Sequence, residues 1–191
     1  MRPEQEGRPA ADRCGPTGYR MVGENRYREQ VGFYYDEIVV GTVIEHRPGR
    51  TVTEMDNVLM SMLSMNASPL HIDGAYAAAG PWGRPLVSSL VTLSIVGGMT
   101  ARSTSGRAIA NLGWDRIHLP NPVFVGDTLY AESEVTAKRL STSRPGEGIV
   151  SCRTTGRKAT GEVVLTFERS FLVPTEKLPT EKSSIDDRTG Y

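Results

Sequence analysis

Ser88-Ser89-Leu90-Val91-Thr92-Leu93-Ser94-Ile95-Val96-Gly97-Gly98-Met99 is the stretch that decides the fold. Leu90, Val91, Leu93, Ile95, Val96 and Met99 spread over most of a helix circumference. A helix apolar nearly all round is wrapped by other elements instead of lying on a surface. The pattern predicts this helix from Ser88 to about Arg102. In an exposed helix each glycine of Gly97-Gly98 would cost on the order of 1 kcal/mol. Their expected purpose is to let a sheet approach the helix backbone closely.

Downstream of the helix the pattern becomes extended. Residues 108–112, 116–119, 127–140, 148–158 and 162–173 read as strands, with Arg144-Pro145-Gly146 and Thr160-Gly161 as hairpin turns. Val163, Leu165 and Phe167 alternate with Val164, Thr166 and Glu168, as in a half-covered antiparallel strand. Upstream, Phe33, Tyr34 and Tyr35 suggest a segment that packs down before the first strand, Thr42 to His46, and Pro48-Gly49 reads as a turn. Thr53 and Asp56 make a box-like start for a helix through Ser64. Val58, Leu59, Met62 and Leu63 are expected to be its buried face. The expected class is α+β, an antiparallel sheet wrapped round one long central helix.

The 191 residues suffice for one domain with a sizeable core. We expect it to span 19–174, between polar, Gly/Pro-rich tails at 1–18 and 175–191. The 22 Lys+Arg balance the 22 Asp+Glu, so nothing argues for nucleic acid or an anionic membrane surface. No run reaches the about 20 apolar residues of a membrane span, and the N-terminus lacks a secretion-signal core. Cys14 and Cys152 lie far apart, without metal-ligand spacing. A reduced, cytoplasmic protein without bound metal is the expectation.

Just before the central helix lies Met65-Asn66-Ala67-Ser68-Pro69-Leu70-His71-Ile72-Asp73, followed by Gly83-Arg84-Pro85-Leu86-Val87. An imidazole, whose unperturbed pKa is about 6.5, exchanges protons near neutrality, so His71 is the candidate acid/base. Asn66 can orient a water through its carbonyl and amide but cannot take its proton. The N–H groups at a helix start can hold a developing negative charge, and Ser89, next to Ser88, is the first choice of donor. Ser88 and Ser89 also read as caps of this helix. Asp73 is expected to cap a helical turn, as Asp56 is; either is also a possible partner for His71. Asp127 is read as a turn residue, Trp114 as core or pocket lining, and His46 and His118 as structural.

Taken together, Pro69-Leu70-His71, Arg84-Pro85-Leu86-Val87 and Pro122-Val123-Phe124-Val125-Gly126-Asp127-Thr128-Leu129 resemble the MaoC-like dehydratases, the (R)-specific enoyl-CoA hydratases of the hotdog fold. The resemblance runs from about Tyr34 to Val173. It implies a single hotdog that adds or removes water across the 2,3 double bond of an enoyl thioester. The family block reads Gly-Asp-x-Asn-Pro-Leu-His; here Asn66 replaces the Asp and Ser68 the Asn. The Asn form resembles a branch associated with mesaconyl-CoA hydratases. Ser88 and Ser89 stand where the family usually has His-Gly. Catalysis is thus expected from His71 and Asn66, thioester binding from Ser88, Ser89 and Leu90, and carrier phosphate contact from Arg84, with Asp73 and Ser68 in support. The substrate carrier is coenzyme A or a carrier protein, the assembly a homodimer, and no bound cofactor is implied, since no Gly-rich phosphate loop is present. A hotdog thioesterase is disfavoured, because no Asp or Glu lies between Ser88 and Arg102. A non-catalytic thioester-binding subunit is the third alternative, prompted by Asn66.

Overall fold

A computed structural model describes residues 19–29 and 31–175. The expected tail at 1–18, with Cys14, and all but Thr175 of the expected tail at 175–191 lie outside the described residues. A small hairpin leads, formed by β1 (Tyr19–Gly23) and β2 (Arg26–Glu29). Its turn holds Asn25 at φ 53°, a conformation Asn tolerates. The sequence reading assigned no strands there.

The aromatic segment packs down as expected. Phe33 and Ile38 are buried on either side of a 3-10 turn at Tyr35–Glu37. Then follow β3 (Val43–Thr51), α1 (Glu54–Ser64), α2 (Pro69–Ile72), α3 (Gly74–Ala79) and α4 (Ser89–Thr100). After a π-helical turn at Ala101–Ser105 come β4 (Ala110–His118), β5 (Thr128–Leu140), β6 (Glu147–Lys158) and β7 (Val163–Pro174). The five long strands form one sheet in the order β3-β5-β6-β7-β4, antiparallel at every pairing. The sheet curves round α4, giving the hotdog arrangement of class α+β.

Two boundaries differ from the sequence expectation. Pro48-Gly49 does not end a strand; it sits in a bulge of β3, where the pairing with β5 slips between His46 and Arg50. Proline has no N–H for a ladder, and an edge strand tolerates its loss. The two short runs around residues 108–119 are one strand, β4, broken only by register slips and by Arg116 at φ 51°.

The larger correction concerns α1. Its start is as read: the Asp56 carboxylate accepts the Thr53 N–H at 2.7 Å and the Thr53 hydroxyl at 2.9 Å. Its orientation is the reverse. Val58, Leu59, Met62 and Leu63 are 41%, 49%, 74% and 81% exposed, whereas Asn57 and Ser61 are buried. Polar bonds made by Asn57, described below, turn the helix this way.

On α4, Val91, Val96 and Gly97 are buried, while Leu93, Ile95 and Met99 pack partly buried against Val52, Leu129 and Phe167. Only one of the two glycines has the expected role. A Cβ on Gly97 would lie 2.8 Å from the Trp114 ring, which itself packs tilted against Phe167 with centroids 4.6 Å apart. A Cβ on Gly98 would meet nothing within 4 Å.

A polar chain is buried at the far end of α4. His46 Nδ1 meets the Ser103 hydroxyl at 2.6 Å, its Nε2 meets Ser133 at 2.8 Å, and Ser133 meets Thr154 at 2.7 Å. Burial, reinforced by the Arg169 and Arg47 charges, lowers the His46 pKa to about 4. Buried Arg169 bonds Ser105 at 2.8 Å and stacks over Trp114 and Phe171.

Two predictions follow from this packing. Gly97→Ala overpacks the helix against Trp114 and lowers stability by about 1–3 kcal/mol, while Gly98→Ala is neutral or stabilising; urea unfolding of both variants checks this. His46 stays neutral in the folded state but gains a proton near pH 6.5 when unfolded. Its contribution is therefore complete above pH 6.5 and falls as pH drops towards 4, by about 3 kcal/mol in all. Unfolding midpoints between pH 7 and 4 should fall less steeply in His46→Gln than in the native chain.

Candidate active site

His71 sits in the single turn of α2, which Pro69 opens at its first position. The His71 N–H donates to the Ser68 carbonyl at 3.0 Å, fixing the turn. The ring is fixed by a second segment: Nδ1 lies 2.8 Å from the carbonyl oxygen of Leu86. A carbonyl only accepts, so Nδ1 carries the hydrogen and, in the neutral ring, Nε2 has a free lone pair.

Leu86 and Val87 form an extended spacer between this loop and the sheet. The Leu86 N–H donates to Leu70 at 3.1 Å and the Val87 N–H to Val123 at 2.9 Å. Leu86 also bridges Phe124. Directly after the spacer, Ser88 caps α4, its hydroxyl accepting the Leu90 N–H at 3.4 Å. The Ser88 N–H is itself taken by the Asn57 side-chain carbonyl at 2.9 Å. Ser89 is the first residue of the helix, and its N–H has no intrahelical acceptor.

His71 and Ser89 line one cavity of about 340 Å³. Trp82, Leu86 and Val87 form one wall, Thr92 lies one turn further along α4, and residues 119–123 close the other side. The space is lined mostly by apolar groups, with a few polar groups directed into it, which is the usual make-up of a small-molecule site.

The other expected site residues fall in different places. The Asn66 side-chain carbonyl accepts the Ser68 N–H at 3.3 Å. Ser68 is the N-cap residue of α2. Asp73 caps α3 by accepting the Tyr76 N–H at 3.0 Å, and Asp56 serves the start of α1; the bonded partner of His71 Nδ1 is a carbonyl, not either carboxylate. Leu90 is 41% exposed and does not line the cavity. Arg84 is exposed, with its guanidinium 4.0 Å over the Phe124 ring. The Trp82 ring lies tilted to Phe124, with centroids 5.9 Å apart. Asp127 is the turn residue expected, accepting the Phe124 N–H at 3.0 Å.

Sequence reasoning missed Asn57, Trp82, Thr92 and Asn121. Thr92 was within reach, being three positions after Ser89 and so on the same helix face. Asn57 was not, because one amide in a helix carries no pattern of its own. Among the described residues no cluster of His, Cys, Asp and Glu is suited to a metal ion.

Residues 37–157 match the family model described as the MaoC like domain, and the chain belongs to that family. A mesaconyl-CoA hydratase from Cereibacter sphaeroides is 32% identical over 146 residues, covering 76% of this chain and 42% of the relative. Among solved structures, a MaoC-like dehydratase from Rhodospirillum rubrum superposes with TM-score 0.67 at 26% identity, over 77% of this chain and all of that one. A Mycobacterium tuberculosis protein described as having a double hotdog fold gives TM-score 0.69 at 28% identity, over 76% of this chain and 45% of that one. The chain spans about half the length of the curated relatives it matches.

Proposed function

We propose that this protein is a hydro-lyase that adds water to, or removes it from, the 2,3 double bond of an enoyl thioester. The observation that supports this most is one cavity shared by His71, whose Nδ1 is bonded to the Leu86 carbonyl, and the unpaired N–H of Ser89 at the start of α4. The likeness to a mesaconyl-CoA hydratase points the same way and favours a short acyl group on coenzyme A; a carrier-protein thioester would offer the same reacting atoms.

In the hydration direction, Nε2 of His71 takes a proton from water as the water oxygen bonds to the β-carbon. The double-bond electrons move through the α-carbon into the thioester carbonyl, whose oxygen becomes negative. The Ser89 N–H and the amino end of the α4 dipole stabilise that oxygen. The imidazolium then returns a proton to the α-carbon and the enolate collapses to the 3-hydroxyacyl thioester. Asn66, the water-orienting residue expected from the sequence, is not among the residues that line this cavity, and its carbonyl is engaged by the Ser68 N–H, so the water step rests on His71. Arg84, exposed over the Phe124 ring, is the cation proposed to meet the carrier phosphates. No helix among the described residues is long and apolar enough to cross a membrane, and a thioester substrate with a buried free thiol at Cys152 suits the cytoplasm.

We infer that two copies pair. Strand β4 ends the sheet, with Leu112 and Ile117 50% and 42% exposed, and Leu119 just beyond it both lines the cavity and is 39% exposed. The M. tuberculosis protein joins two hotdogs in one chain, whereas this chain matches one of them.

The test is turnover of crotonyl- and mesaconyl-CoA, followed by loss of the conjugated absorbance and, separately, by release of free thiol. Native protein should consume the double bond without releasing thiol, and His71→Ala should lose roughly 10²- to 10⁴-fold in kcat with folding retained. Full activity in that variant, or thiol release alone, overturns the reading. Light scattering should give about twice 20.9 kDa for the native chain, and a single chain's mass for Leu112→Lys/Ile117→Lys.

A further inference from the structure

We propose that Asn57 is the positioning residue of this site: its one buried amide sets the His71 loop and the first turn of α4 in register with each other. The kinetic part of this rests on the hydration reading above; the geometric part does not.

Asn57 is 2% exposed, on the face of α1 turned inwards. Its Nδ2 donates to the carbonyl oxygens of His71 and Leu86, each at 3.1 Å. Its Oδ1 accepts the Ser88 N–H at 2.9 Å. An amide has two N–H donors, and both are used. One side chain thus joins three segments that are separate in sequence: α1, the His71 turn, and the spacer leading into α4.

Two consequences reach the chemistry. Leu86 O accepts from both Asn57 and His71 Nδ1, so the carbonyl that selects the ring tautomer is itself held in place by Asn57. Asn57 also consumes the Ser88 N–H, so the next free donor at the helix start is that of Ser89, which lines the cavity. An aliphatic side chain would fill a buried helix position without needing any partner. A buried amide is unfavourable unless its groups are bonded, so the residue type here follows from the three bonds and not from burial.

The experiment compares Asn57→Leu, Asn57→Asp and Ser61→Ala in the full chain. Asn57→Leu removes all three bonds at similar volume; Asn57→Asp keeps the acceptor for Ser88 and loses both donors. Ser61 is the control, buried one turn further along α1, its hydroxyl without a hydrogen-bond partner. Kinetics on crotonyl-CoA and 15N NMR of the histidine rings are read on each variant, with circular dichroism for folding. Both Asn57 variants should lose roughly tenfold to a hundredfold in kcat with KM changed less than about threefold. The His71 ring should pass from one Nδ1–H tautomer to a mixture. Ser61→Ala should match the native chain in both readouts. A folded Asn57 variant with native kcat and the native tautomer overturns the proposal while leaving the hydratase reading intact. Should no enoyl thioester turn over at all, that reading fails and the tautomer still decides the role of Asn57. If neither Asn57 variant folds, hydrogen exchange of the Asn57 NH2 in the native chain decides: exchange slowed at least roughly a hundredfold supports the three-way bond, and exchange at the free-amide rate overturns it.

Discussion

Two hydrogen bonds converge on the carbonyl oxygen of Leu86, one from the ring of His71 and one from the amide of Asn57. Around this atom the chain crosses itself three times. The same residue's N–H reaches Leu70, its neighbour Val87 reaches Val123, and Asn57 reaches on to Ser88. Each neutral bond contributes on the order of 1 kcal/mol net, but each buried group left without a partner costs about 1–3 kcal/mol. The set is therefore held together or lost together. It holds His71 and the Ser89 N–H on one space, although neither residue touches the other through a bond.

That space exists because the sheet holds α4 from beneath. Gly97 admits the Trp114 ring, and Gly156 on β6 admits Val96, so the helix lies deeper than side chains of ordinary size would allow. With α4 seated, its amino end comes beside residues 119–123, the crossing from β4 to β5. The cavity consequently opens near the end of β4, at an edge of the sheet.

The two buried or half-buried histidines show how surroundings assign roles. Both ring nitrogens of His46 are bonded to hydroxyls, and burial beside Arg169 keeps the ring neutral. It is a structural link between β3, the π-helical turn and β5. His71 has one ring nitrogen bonded to a carbonyl and the other free on a cavity. The residue type is the same; the number of occupied nitrogens separates a core group from one that faces a cavity with a ring nitrogen to spare.

The central helix was legible in the sequence from its dense apolar pattern, although it is not covered all round: Leu90, Ser94 and Gly98 are exposed. The long strands after it were legible because alternation and turn residues mark them locally. The Pro-Leu-His block and the turn before α4 read as one site from their residue types, and His71, Leu86, Val87 and Ser89 do line one cavity. The orientation of α1 was not legible: Val58, Leu59, Met62 and Leu63 announce an apolar stripe, but periodicity does not say what lies against it. Tertiary structure put Asn57 and Ser61 inward instead, because the carbonyls of His71 and Leu86 and the N–H of Ser88 needed a partner there. The same limit hid Trp82 and Asn121, which share a cavity only after the loop before α4 and the crossing after β4 are folded together. Sequence alone determined the long elements and the residue types that the proposed chemistry needs. Only the folded chain decided which face is buried and which backbone groups remain free, since both depend on partners that are distant along the chain.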